Sequence, residues 1–306
     1  MIGYLVRRFA QVVVVAFLVS IMVFFVIRMM PGDPARLLAG MEATQEQLEL
    51  VREKYGLNEP LFVQYQIFLT KSLQSDLGQS LNYREPVIQL LWRRFKNSLQ
   101  LIVFGLGLAF ATGITFGVIA GVKDRTVFDY FTMGAAVVGV SLPQFWLGLM
   151  LMLLFSVQLG WLPTSGSGSF RHLVLPSLTI AITYIAINAR VTRSSMLDVL
   201  SEDYVTTARS KGLREWKVLI KHALRNALIP IVTIMGLQIG GMLMGLVVVE
   251  TVFSWPGVGR LLIDSIGYRD YPVMQAVMIY GTVGVLMVNF LVDVAYAFID
   301  PRIQYR

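Results

Sequence analysis

The sequence predicts an all-α polytopic membrane protein. Six transmembrane helices run N-in and C-in, with an external helical subdomain between the first and second and a short polar cytoplasmic helix between the fourth and fifth. Three observations predict this. Of 306 residues, 56% are hydrophobic and only 15% are charged, where soluble domains carry about 25% charged residues. Mean hydropathy is +0.65, and the apolar residues gather into uncharged runs long enough to cross a bilayer. Lys and Arg concentrate in the connections on one side, the bias of a chain threaded through a membrane.

The same composition excludes several classes. The net charge of +7 follows from positive-inside bias and does not imply nucleic acid. With no cysteine, disulfides, thiol catalysis and cysteine metal sites are excluded. The two histidines, His172 and His222, lie far apart, which argues against a histidine-rich metal site.

The first span occupies 1–30. Arg7 and Arg8 precede an apolar run to about Met29, longer than a signal-peptide core and lacking an A-x-A-like cleavage site. It reads as a retained helix entering from the cytoplasm. Pro31-Gly32-Asp33-Pro34 stops it, because proline cannot continue a helix and holds its predecessor extended. In the polar region 31–96, Thr44-x-x-Gln47 is a capping-box signal. It opens a helix with Leu48, Val51 and Tyr55 on one face, and Gly56 closes it. Pro60 can start a second helix carrying Leu61, Tyr65, Phe68 and Leu69, and Asp76 to Ser80 reads as loop. Such apolar periodicity needs a surface to pack on, so the region reads as a subdomain rather than a linker.

The core, 97–306, begins with a second span from Asn97 to Val122. Its small residues recur every fourth position, at Gly105, Ala109, Gly113, Gly117 and Gly121, a stripe that lets helices approach closely in lipid. Lys123-Asp124-Arg125 is a cytoplasmic turn. The third span, about Phe128 to Val157, contains Pro143, read as a kink. An external loop follows through Trp161 to Ser169. Trp161 and Tyr184 read as interface anchors or packing groups. The fourth span, about Leu173 to Asn188, is short and contains Pro176. The fifth, about Leu228 to Val249, holds two G-x-x-x-G patterns, Gly236/Gly240 and Gly241/Gly245. The last runs from about Val273 to Phe298.

On this topology the cytoplasmic segments hold fourteen Lys/Arg: Arg7, Arg8, Lys123, Arg125, eight between Arg190 and Arg225, then Arg302 and Arg306. The two short external loops hold only Arg171, Arg260 and Arg269. Arg93, Arg94 and Lys96 run against the bias, but they end a long translocated segment that largely escapes it.

The segment 190–225 is a charged island with eight basic and four acidic residues. Ser201 reads as an N-cap with Glu202 and Asp203 in the first turn. Arg209 and Lys211 fall in the last turn, and Gly212 follows. Acid first, base last and glycine after suits a short helix's dipole and ends. Tyr204, Ala208 and Lys211 lie along one face, and Ala208 with Gly212 would let another surface approach. A second helix, from about Arg214, runs through Trp216, Leu219 and His222 into the fifth span. Charge alone would also fit a solvated loop; the capping pattern favours a folded element that needs a partner.

These residues carry a resemblance. Asp203-Tyr204-x-x-Thr207-Ala208-Arg209-x-Lys211-Gly212-Leu213, followed by His222-Ala223-Leu224-Arg225-Asn226-Ala227-x-x-Pro230, resembles the cytoplasmic loop of binding-protein-dependent ABC importer permeases of the dipeptide/oligopeptide/nickel branch. The general motif is E-A-A-x3-G-x9-I-x-L-P. Aligned on Gly212, the chain keeps Ala208, Gly212 and Leu224 but has Thr206, Thr207, His222 and Arg225 at departing positions, departures that the branch shares. Pro31-Gly32-Asp33-Pro34 is similar to this branch. So are Glu250-x-Val252-Phe253-x-x-Pro256-Gly257-x-Gly259 and the ending Asn289-x-x-x-Asp293-x-x-Tyr296-x-x-x-Asp300-Pro301-Arg302. The resemblance covers nearly the whole chain.

It implies a prokaryotic inner-membrane permease subunit working with a second homologous permease, two cytoplasmic ATPases, an external substrate-binding protein and the lipid bilayer. The helix around Tyr204 to Gly212 becomes a coupling helix seated in an ATPase. His222, Arg225, Asn226 and Pro230 become its relay to the membrane. The chain itself would be no enzyme and hold no cofactor: it has no G-x-x-x-x-G-K-[ST], and ATP and Mg belong to the partner ATPases. Peptide or glutathione-like cargo is implied, with nickel chelate or another small solute as the alternative on the same scaffold. A different class, an ion-coupled secondary transporter, would place acids at mid-membrane and often show internal repeats. No repeat is visible, and Asp293 near Asn289 is its best acidic candidate.

Overall fold

The structure, a computed structural model, describes residues 2–29, 33–40 and 42–299. Pro31 and Gly32 of the first stop, and Asp300-Pro301-Arg302 with the rest of the tail to Arg306, lie outside the described residues. Among the described residues, five helices are long and apolar enough to cross a membrane: Gly3–Val26, Val87–Val122, Phe170–Leu200, Glu215–Leu243 and Tyr271–Val294. The chain divides into two units, one of residues up to Ser98 with Pro256–Val294, the other built on Leu99–Trp255.

In the first unit, helix α1 spans Ile2–Met29. Asp33 caps a short helix α2, Pro34–Ala39, with proline at its start, a helix the sequence reading did not resolve. The Asp33 carboxylate accepts from the Ala35 N–H (2.9 Å) and from Arg52 (2.6 Å). The Ala35 N–H, with the Arg52 guanidinium, holds that carboxyl below its usual range. Helix α3, Gln45–Tyr55, has both hydrogen bonds of the Thr44/Gln47 capping box and ends at Gly56 in the left-handed region. Helix α4, Leu61–Leu73, finds its packing surface on α1. The Tyr65 and Phe68 rings lie 5.2 and 5.6 Å from that of Phe24, and the Tyr65 and Ser20 hydroxyls share a 2.7 Å hydrogen bond.

Helix α5, Val87–Val122, starts well before the expected Asn97. Charge hid its first turns. Arg93 pairs with Glu85, Arg94 lies over the Tyr83 ring and Lys96 over Trp92, so a helix carries these cations without interruption. Val87, Leu90 and Leu91 pack with Leu261 of α12 (Val258–Gly267) and Val273, Ala276 and Val277 of α13 (Tyr271–Ile299). Buried Asp270 accepts from the Ser80 hydroxyl (2.5 Å) and the Asn82 N–H (3.1 Å). Asp293 of α13 pairs with Arg8 of α1 at 3.3 Å, an interhelical ion pair.

In the second unit the small-residue stripe of α5 meets α8, Phe170–Leu200. A Cβ on Gly113 would stand 2.7 Å from that of Asn188, and one on Gly121 2.7 Å from that of Met196. One on Gly117 would collide with Thr192 and the Ala189 carbonyl. The partners recur every four residues as the glycines do, so the two helices run in close register.

Helix α8 corrects the expected end at Asn188. It passes Pro176 and continues to Leu200. At 31 residues it is about 46 Å long, more than a hydrocarbon core of about 30 Å needs. The first part of the island is therefore helix rather than connector. Tyr184 packs in the core with Leu101, Leu175, Met242 and Phe253, and Trp161 is exposed.

Pro143 breaks the third span instead of kinking it. Helices α6, Val127–Ser141, and α7, Gln144–Met152, meet at 107°. Leu142 and Pro143 are both extended, with ψ of 128° and 133°, as a residue before proline prefers. A π-helical stretch, Leu153–Gln158, continues α7. Pro176 and Pro230 sit inside continuous helices.

Candidate functional site

The candidate site lies where α8 turns back into α11, Arg225–Val252. Between them stands α9, Asp203–Ser210. Its start differs from the sequence expectation. Ser201 is the C-terminal cap residue of α8, and its hydroxyl donates to the Asp198 carbonyl at 2.7 Å. Glu202 occupies the N-cap without a side-chain bond. The displacement follows from α8 being longer than expected: the serine was already needed at its end.

The stop is as expected. Gly212 has φ +72°, and two bonds close the last turn: Gly212 N–H to the Arg209 carbonyl (2.9 Å) and Leu213 N–H to that of Ala208 (3.4 Å). This is the Schellman arrangement, which uses a left-handed residue to satisfy carbonyls a helix end leaves open. Lys211 is the cap residue and is exposed.

The inward face of α9 is Val205 with Ala208, packed on Val218, Val199 and Leu200. Ala208 was expected on the face offered to a partner; it is 6% exposed and belongs to this small core. Val205, fully buried, was not singled out. Asp203, Tyr204, Thr206, Thr207, Arg209 and Ser210 are exposed. The Thr207 hydroxyl donates to the Asp203 carbonyl (2.9 Å), and Arg209 pairs with Glu215 (2.8 Å). Both partners of that pair are exposed, so it contributes geometry more than stability.

Tyr204 and Asn226, twenty-two residues apart, meet: the Asn226 amide donates to the Tyr204 hydroxyl at 2.7 Å and to the His222 carbonyl at 3.2 Å. This bond ties α9 to the first turn of α11. Between them run α10, Glu215–Lys217, and a π-helical stretch, Val218–Leu224, where a regular helix was expected. His222 lies in that stretch and Arg225 begins α11, exposed. Pro230 brings no N–H for the Asn226 carbonyl, and α11 continues through it.

Two further polar contacts hold α8, one to α6 and the turn before it and one to α11. Arg193 of α8 bonds both oxygens of Asp129 (2.5 and 2.7 Å) and reaches Asp124 (2.8 Å), while the Arg125 N–H also donates to Asp129. Asp129 is buried. Its place in the apolar run Val127 to Met133 was the available signal, since an acid there needs a partner. Deeper, the Gln238 amide of α11 donates to Asn188 of α8 at 2.9 Å, and both are buried. Both pairs were missed.

The motif after α11 divides between the units. Phe253 is buried, and Gly148 leaves room for its ring, 3.1 Å from where a Cβ would stand. Glu250 is buried, and its carbonyl accepts from the Trp255 N–H at 2.8 Å. In the first unit the Pro256 carbonyl accepts from Asn97, the Val258 N–H donates to Ser98, Gly257 precedes α12 and Gly259 is buried.

The hairpin of two long apolar helices, α8 and α11, thus carries a capped polar helix at its turn. The comparisons give the family. Residues 113–305 match "Binding-protein-dependent transport system inner membrane component", and residues 1–102 match its N-terminal counterpart. The chain belongs to this family of inner-membrane permease subunits of ABC importers. It is 47% identical over 306 residues, the whole of both chains, to the glutathione transport system permease protein GsiC of Escherichia coli O6:H1. Identity to the proteins of the same name from Escherichia coli K12 and Shigella dysenteriae serotype 1 is 46%, again over the whole of both chains. The crystal structure of an amino acid ABC transporter with histidines shares the fold, with TM-score 0.53 and 18% identity over 69% of this chain and 94% of that one.

Proposed function

We propose that this permease moves glutathione or a similar short peptide inward by alternating access, energised by ATP hydrolysis in two separate cytoplasmic ATPase subunits. It would work beside a second homologous permease and receive cargo from an external binding protein. Counting the bent pair α6–α7 as one span makes six, with both ends cytoplasmic and the region 31–96 external; the Lys/Arg asymmetry supports this orientation.

One observation carries the mechanism: α9 is capped at Gly212, exposes most of its residues, and is bonded through Tyr204 to Asn226 of α11. A partner that displaced α9 would pull on α8 and α11 together. Asp203, Tyr204, Thr207, Arg209, Lys211, Gly212 and Leu213 form the region seated on the ATPase, with Ala208 holding α9 to its own chain. His222, Arg225, Asn226 and Pro230 relay the motion. Glu250, Phe253, Pro256, Gly257 and Gly259 shape the external end.

The identity to glutathione permeases supports the cargo. The test is uptake of labelled glutathione by proteoliposomes holding the complete transporter with its binding protein. Uptake should require ATP and be blocked by unlabelled glutathione. Uptake driven by a proton gradient without ATP would overturn the mechanism; ATP-dependent uptake of other solutes only would overturn the cargo.

A further inference from the structure

The segment from Leu213 to Ala227, with the π-helical stretch at its centre, has a buried face and an exposed one. Inward, Val218, Ala223 and Ala227 are buried against Met196, Val199 and Leu200 of α8. Outward lies a groove of about 290 Å³ lined by Leu213, Trp216, Lys217, Ile220, Lys221 and His222. Trp216 and Ile220 are exposed, an unusual surface for a segment whose other side already makes a core. Among the described residues neither Lys217 nor Lys221 is paired with an acid, and Lys217 stands 5.8 Å from the Trp216 ring centre. Arg214 and Arg225 stand close by in sequence, and the nearest acid in sequence, Glu215, is engaged by Arg209.

The groove lies in the first turns of the apolar segment Glu215–Leu243, and exposed apolar residues continue along it at Ile229 and Leu237. A tryptophan beside lysines at the end of an apolar helix is the composition of a membrane interface. Lysine stems can lie along apolar surface while the ammonium stays at headgroup level. The exposed surface of α9 is different: Asp203, Tyr204, Thr206, Thr207, Arg209 and Ser210 mix hydroxyls with both signs of charge.

We infer that this groove is a binding site for an anionic phospholipid, with its phosphate between Lys217 and Lys221 and its acyl chain along Trp216 and Ile220. The charge complementarity is direct, and the lipid would lie against the segment that joins α9 to α11. The inference rests on the proposed orientation only for which leaflet supplies the lipid.

The chain has no cysteine, so Ile220→Cys gives one labelling site in this subunit. The complete transporter, spin-labelled there, is placed in nanodiscs of phosphatidylcholine with increasing phosphatidylglycerol. The label should become immobilised, and more accessible to oxygen than to a water-soluble nickel chelate, as phosphatidylglycerol is added. Lys217→Gln and Lys221→Gln should each weaken that response about fivefold, the scale expected for one cation at an anionic surface. A response independent of phosphatidylglycerol would overturn the site. So would immobilisation by inorganic phosphate in neutral lipid, or by ATPase subunits alone in neutral lipid, which would show that protein covers the groove. Nanodiscs carry the same lipid on both faces, so an inverted orientation would leave the response intact, and failure of the two readings is distinguishable.

Discussion

Replacing Gly212 separates backbone conformation from space at the end of α9. Its φ is +72°, and a Cβ built there meets nothing within 4 Å. The penalty of a substitution is therefore conformational. A non-glycine residue in the left-handed region costs about 1–2 kcal/mol, and asparagine visits it most readily. That shifts the balance between the capped and the frayed helix end by about five- to thirtyfold. The two closing bonds, to the Arg209 and Ala208 carbonyls, are lost with the cap. In proteoliposomes holding the complete transporter, phosphate release and uptake are measured together. Hydrolysis should continue while cargo moved per ATP falls in the order Gly, Asn, Ala, Val, with membrane insertion unchanged. Equal coupling in Gly212→Ala, Gly212→Val and the parent would refute the reasoning. Asn behaving as badly as Val would show that space, not backbone, decides.

Other substitutions test the hairpin and the helices packed on α8. Tyr204→Phe and Asn226→Ala should each reduce coupling, and the double variant should be no worse than the worse single one; a double-mutant cycle on uptake should return about 1 kcal/mol, the net value of one hydrogen bond. Asp129→Leu leaves the partly buried Arg193 with Asp124 alone, and thermal unfolding of the detergent-solubilised subunit should show a loss of about 3 kcal/mol, the low end for breaking a buried pair. Gly117→Val should abolish stable subunit, because its Cβ would collide with Thr192 and the Ala189 carbonyl, whereas Gly107→Ala on the same helix meets nothing within 4 Å and should accumulate normally on immunoblots.

What the sequence made legible was local. The capping box at Thr44, the left-handed stops at Gly56 and Gly212, and the four-residue stripe of α5 each depend on neighbours within one or two turns. The length of α8 was hidden because hydropathy falls after Asn188 as charges enter. Yet Ala189, Thr192, Ser195 and Met196 keep a buried helical face through that stretch, and periodicity was the better guide there. Ser201 was misplaced for the same reason. The prolines show the opposite limit. Pro143 breaks its span and Pro176 does not, and what separates them is whether the preceding residue stays helical, which packing decides. Tyr204 with Asn226, Arg193 with Asp129, and Asn188 with Gln238 needed the register between helices. Only the buried acid at Asp129 announced that a partner must exist.

The central claim is that the exposed surface of α9 seats on an ATPase. The cysteine-free chain permits a direct measurement: Lys211→Cys in the assembled transporter, treated with a short thiol-to-amine cross-linker, with Val205→Cys as the buried control. The account predicts a product between this subunit and an ATPase from position 211, changing in yield when ATP is bound, and none from position 205. No ATPase product from position 211, or equal products from both positions, would contradict it.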